Sequence, residues 1–158
     1  MIFATVLSAL GLGGCHGTPG EAGPSCAADL KAEKIVQVKY GCNHMDQMED
    51  FRFDLWETQD GKVLYSALCG SQNRDILIQQ QDRELAQQQM AKLRELVETE
   101  QLVEWLWKQP PLLDRPDVSD RTTSTLCICW QDGTERTAEA VQAVSNALEQ
   151  FMRSCALQ

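Results

Sequence analysis

The 158-residue chain carries 14 Lys and Arg against 23 Asp and Glu, a formal net charge of −9, and has no basic run. That balance makes nucleic acid and anionic lipid headgroups poor electrostatic partners. The length allows one core rather than two, and no GxSxG, HExxH, P-loop or GxGxxG motif marks a common catalytic site.

Met1 to Gly14 holds no charge and no proline, and Ile2 to Leu7 with Ala9 and Leu10 forms an apolar run. The run is too short to span a bilayer, which takes ~20 residues, and it reads as the h-region of an export signal. Leu12-Gly13-Gly14-Cys15 then resembles the lipobox of bacterial lipoproteins: an aliphatic residue, two small ones, and the cysteine that is lipidated and becomes the new N-terminus. The resemblance implies a signal over residues 1–14 and a membrane anchor on Cys15. A start upstream of Met1 would supply the basic n-region that this stretch lacks. His16 to Ser25 is too rich in Gly and Pro to pack, so residues 15–33 read as a lipidated cysteine and tether, and residues 34–158 as one domain.

Val36, Val38, Tyr40 and Cys42 alternate with Gln37 and Lys39, the period of a first strand. Phe51, Phe53 and Leu55, then Val63, Tyr65, Ala67 and Cys69, alternate on either side of Gln59-Asp60-Gly61. This predicts a hairpin whose turn takes positive φ from Gly, with Asp tolerating it. Gly70 to Asn73 breaks the strand. From about Asp82 to Thr99 the period turns helical, with Leu85, Ala86, Met90, Leu93, Leu96 and Val97 on one stripe and the Gln79–Gln81 run read as a solvated helix face.

Leu102 to Trp107 makes a dense apolar patch, read as a short second helical turn, before Pro110-Pro111 ends it; 112–120 reads as a loop. Thr123 to Trp130 and Thr134 to Ala138 flank Gln131-Asp132-Gly133 as a second hairpin, with Leu126, Ile128 and Trp130 on one face and Cys127 and Cys129 on the other. From Ala140, the spacing of Val141, Val144, Leu148, Phe151 and Cys155 predicts a C-terminal amphipathic helix. The class is α+β: an antiparallel sheet of about five strands, with one long and one C-terminal helix packed on one face. From about Lys34 onward the layout also resembles uncharacterised lipoproteins and small secreted proteins of gut-type bacteria. The features are a Met-containing loop after the first strand, a long helix ending near a Trp and a late Asp-Gly-Thr. That resemblance implies no activity, cofactor or catalytic residue, and its members carry fewer cysteines.

Beyond Cys15 stand Cys26, Cys42, Cys69, Cys127, Cys129 and Cys155, an even set that in an exported chain fits up to three disulfides among fifteen connectivities. Shared faces favour Cys42 with Cys69 and one of Cys127 or Cys129 with Cys155, leaving Cys26 for the remaining thiol. The alternative is a metal-binding or thiol-based redox protein: Cys42/His44 and Cys127/Cys129 are two pairs two residues apart, able to present zinc or copper ligands, or redox thiols, from strands. A Cys42 or Cys69 nucleophile with His44 as base is the enzyme reading, and Asp50/Asp54 is a carboxylate pair on one strand. Trp105, Trp107 and Trp130 suit a stacking platform or a core, and Trp56, opposite the apolar face, suits an exposed position or a second layer. Taken together, the sequence favours a non-catalytic, cofactor-free binding or structural module of the cell envelope. It would sit on the periplasmic or extracellular side, joined to the membrane by its lipid, with a protein or envelope ligand as partner.

Overall fold

The computed structural model describes residues 30–44, 49–71, 76–109, 123–140 and 142–158. The signal, Cys15, Cys26, the Met-containing loop, the 112–120 loop and Val141 therefore lie outside the described residues. Within them the α+β class holds. Strands β1 (Ile35–His44), β2 (Glu49–Glu57), β3 (Val63–Ser71) and β4 (Ile76–Leu85) run as a meander. Helices α1 (Gln88–Thr99) and α2 (Leu102–Lys108) cross over to β5 (Thr123–Trp130) and β6 (Glu135–Ala140), and α3 (Asn146–Ala156) closes the chain. All neighbours pair antiparallel in the order β4-β3-β2-β1-β5-β6, so the second hairpin joins the far side of β1.

The helices pack on one face. Tyr40, Phe53, Leu55, Tyr65, Leu126, Ile128 and Trp130 from the strands meet Met90, Leu93, Val97, Leu106, Leu148 and Met152 from the helices in one buried cluster. Each aromatic or aliphatic side chain removed from water there contributes about 1.5–3 kcal/mol. Cys155 lies on the buried stripe of α3, as its spacing predicts. Two side chains bond the sheet to α3: the buried Tyr65 hydroxyl donates to the Met152 carbonyl at 2.7 Å, and half-buried Gln80 Nε2 to the Ala156 carbonyl at 2.6 Å. The bond to Ala156 satisfies one of the last carbonyls of the helix, which have no partner within it. At the other end Ser145 Oγ caps α3 by accepting from Leu148 N at 3.1 Å, and donates to Glu100 at 3.1 Å.

Both Asp-Gly turns form with one geometry. The Gly61 amide donates to the Thr58 carbonyl at 2.9 Å and the Gly133 amide to the Trp130 carbonyl at 3.0 Å, with φ of +79° and +85°. Within the two turns only the glycines take positive φ. The aspartates act through their side chains instead, Asp132 Oδ1 accepting from Thr134 N at 2.9 Å.

Four expectations change. The sheet has six strands, because residues 76–85, including the Gln79–Gln81 run, form β4 rather than a solvated helix face. The helix expected from Asp82 accordingly begins at Gln88. In β4 a bulge at Asp82 (φ +50°), whose amide donates to Ser66 Oγ at 3.0 Å, offsets the alternation and hides the strand from a period-two reading. In β1 a second irregularity between Ile35 and Gln37 puts Ile35 in the core and leaves Val36 half-buried. Finally, β6 runs on to Ala140, so α3 starts at Asn146. No helix among the described residues is long and apolar enough to cross a membrane.

Candidate functional site

With the helices on one face, the other face of the sheet displays the alternate side chains of every strand. Register sets them in three rows. Ser66, Asp54, Lys39, Cys127 and Thr137 are successive partners from β3 to β6; Leu64, Trp56, Gln37, Cys129 and Glu135 form the row beside them. On the other side run Leu68, Arg52, Gly41, Thr125 and Glu139. This face holds an open trough of about 780 Å³, whose lining includes Lys39, Arg52, Asp54, Leu68, Cys127 and Glu135. Gly41 keeps its floor low, and a Cβ there would meet only the Phe51 carbonyl, at an ordinary 3.6 Å. Leu68 is the one large strand hydrophobic among the described residues left well exposed, at 42 %.

The polar groups of the face interact across strands. Gln37 Nε2 donates to both Asp54 oxygens, at 2.8 and 3.0 Å. Burial raises the Asp54 carboxyl above its ordinary value, against the opposing pull of that hydrogen bond and of Lys39. Burial alone would lower Lys39, but the summed attraction of Cys127, Cys129, Glu135 and Asp54 holds it above the usual lysine value. Cys127 is 5 % exposed although it lies on the open face, between Lys39 and Thr137. Cys129 approaches Glu135 Oε2 at 3.5 Å. Its thiol is pushed up to about 12, first by burial and then by the neighbouring Cys127 and Glu135.

Cys42 belongs to the opposite face. Its sulfur accepts from Ser124 Oγ at 3.2 Å; the Tyr40 hydroxyl lies 3.3 Å from Glu149 Oε2 and 3.5 Å from Ser124 Oγ. Arg153 binds Glu149 at 2.8 Å and covers the Phe51 ring. Burial pushes the Cys42 thiol up, the wrong direction for a nucleophile. The side chain of His44 lies outside the described residues.

This separation corrects the cysteine expectations. Cys42 faces the helices and Cys127 and Cys129 face the trough, so the four-ligand set Cys42, His44, Cys127, Cys129 is not assembled around one ion. Cys42 and Cys69 both pair with Phe51 of the strand between them, which puts them two strand spacings, about 9.6 Å, apart and beyond disulfide reach. Cys155, on α3, lies across the sheet from Cys127 and Cys129. Among the five described cysteines none is bridged to another.

Other expected residues resolve simply. Asp50 pairs with Gly70 and Asn43 near the sheet's end, exposed and two pleat repeats from half-buried Asp54, with no acid/base geometry around it. Trp130 is core, Trp105 is partly buried against it, and Trp107 is stacked by Arg136 at 4.3 Å, so the three form no platform. Trp56 lies half-buried on the open face, at the trough's margin.

Sequence reasoning missed Lys39 and Glu135 as site residues. Glu135 was within reach, because the Asp-Gly turn sets it opposite Cys129; Lys39 required the β1–β5 pairing, which joins segments some ninety positions apart. Comparison with protein-family models, with curated proteins and with solved structures returned no match.

Proposed function

We propose that the chain is a non-catalytic binding module of the bacterial cell envelope, held at the membrane through a lipid on Cys15, with the open face of its sheet as the binding surface. The observation that carries the reading is the one-sided layering: the three described α-helices cover one face, while the other forms an open trough with charged residues along it. Its volume falls among small-ligand sites, about 300–1,000 Å³. Its charges are of both signs, with Lys39 and Arg52 cationic beside the Asp54 carboxylate. Such a surface suits a short peptide, whose carboxylate would meet Arg52 and Lys39 and whose amino group would meet Asp54.

Tripeptides with free, acetylated and amidated termini, titrated against the purified full chain by tryptophan fluorescence, test the ligand. Saturable binding that falls at least about tenfold on C-terminal amidation and in Arg52→Ala is the expected result, a loss of about 1.4 kcal/mol. No saturation, or binding indifferent to Arg52→Ala, would overturn it. For the anchor, Cys15→Ser should release the protein from membranes and stop signal processing; retention at unchanged mass would exclude lipidation there.

A further inference from the structure

We propose that Cys127, Cys129 and Glu135 form a binding site for a thiophilic divalent cation, zinc(II) foremost, at the β5–β6 side of the trough. The donor set differs from the one expected from sequence, with Glu135 taking the place of Cys42 and His44. One ligand atom from each of the three residues lies within 4.8 Å of the others. With Zn–S of about 2.3 Å and Zn–O of about 2.0–2.2 Å, tetrahedral donors stand about 3.5–3.8 Å apart. Side-chain rotation alone closes that difference.

The backbone prepares this arrangement. Residues two apart on a strand point the same way, so Cys127 and Cys129 present both sulfurs to the trough. The Asp-Gly turn places Glu135 directly opposite Cys129 on a paired strand rather than in a loop. The same spacing disfavours a disulfide, because two residues of strand span about 6.7 Å, near the upper limit for bridged cysteines, with the side chains parallel rather than converging.

Charge points the same way. Binding displaces one proton from each thiol, and two thiolates with one carboxylate around a dication sum to −1. Lys39, the cross-strand partner of Cys127, stands beside that charge from outside the coordination shell. A three-donor set leaves a fourth position toward the trough, open to water or to a ligand atom.

The site does not depend on peptide binding, and its test uses no peptide. The reduced, metal-stripped full chain is titrated with cobalt(II), which reports thiolate ligation by sulfur-to-metal charge-transfer absorption, followed by zinc(II) in competition. One equivalent is expected to bind with that absorption and to be displaced by zinc. Affinity should rise with pH by about 100-fold per unit while both thiols are protonated, since two protons leave. Cys127→Ser and Cys129→Ser should abolish the absorption, Glu135→Gln should weaken binding at least about tenfold, and Cys155→Ser should change nothing. Because Cys129 is half-buried and Glu135 exposed, unchanged thermal melts of Cys129→Ser and Glu135→Gln keep the test independent of folding. Absence of one-equivalent binding, an undiminished signal in Cys129→Ser, or a Cys127–Cys129 disulfide in protein isolated without reductant would each overturn the site.

Discussion

The two faces of one sheet use the same residue types for opposite ends. On the helix side, Cys69 and Cys155 pack in the core and Cys42 accepts from Ser124, while the polar groups Tyr40, Ser124, Glu149 and Arg153 are tied to one another. On the trough side, Cys127 and Cys129 stand beside Lys39, Glu135 and Asp54, whose charges are balanced only across strands and remain available to a ligand. What separates a structural cysteine from a chemical one here is the parity of its position on a strand.

The comparison makes substitutions on the helix side costly in stability and those on the trough side costly in binding. The largest effect is expected for Leu93→Ala, since Leu93 is fully buried in α1: about 2–5 kcal/mol by chemical denaturation. A loss below 1 kcal/mol would mean that the helical layer is not the core. Tyr65→Phe keeps the ring but leaves the Met152 carbonyl without its 2.7 Å partner, costing about 1–2 kcal/mol. Gly133→Ala forces a Cβ into φ +85° and should cost about 1–2 kcal/mol while also loosening the pairing of Cys129 with Glu135, so stability and cobalt affinity should fall together.

On the trough side Asp54→Asn should change stability by less than about 1 kcal/mol, as a part-exposed group is screened by solvent, and its sign depends on pH. The folded state holds the Asp54 carboxyl above its unfolded value, so its contribution is most favourable in acid, where it is protonated in both states, and is lost as pH rises through its folded pKa. Asn is therefore expected to stabilise at neutral pH and to be indifferent in acid, which thermal melts at the two pH values would read. The smallest change in stability, within about 0.5 kcal/mol, is expected for Gly41→Ala, because its new methyl meets nothing closer than 3.6 Å. Its consequence should be loss of peptide binding, as the trough floor rises.

Much of this architecture is legible in the residues. Alternation of Phe51, Phe53 and Leu55 with Arg52 and Asp54 reports a two-sided strand, and each Asp-Gly turn announces its hairpin, because both signals are local. β4 escaped because its code is neither apolar nor regular: Gln79, Gln80 and Gln81 precede a bulge that shifts the phase at Asp82. At the site, Cys127 and Cys129 were visible as a same-facing pair, yet assigning them to Cys42 and His44 or to Cys155 required knowing which face each element covers. Pairing of β1 with β5 decides that, and no local pattern encodes it.

The bulge in β4 has a further effect, on how the sheet meets its own kind. Among the described residues β4 is an outer strand, whose far side offers amides and carbonyls that another strand could zip onto, the route by which β proteins aggregate. A residue forced to φ +50° at Asp82, followed by the charged and exposed Arg83 and Glu84, twists that border and studs it with charge. The irregularity that conceals the strand from a reader of the sequence thus also conceals it from a second copy of the protein.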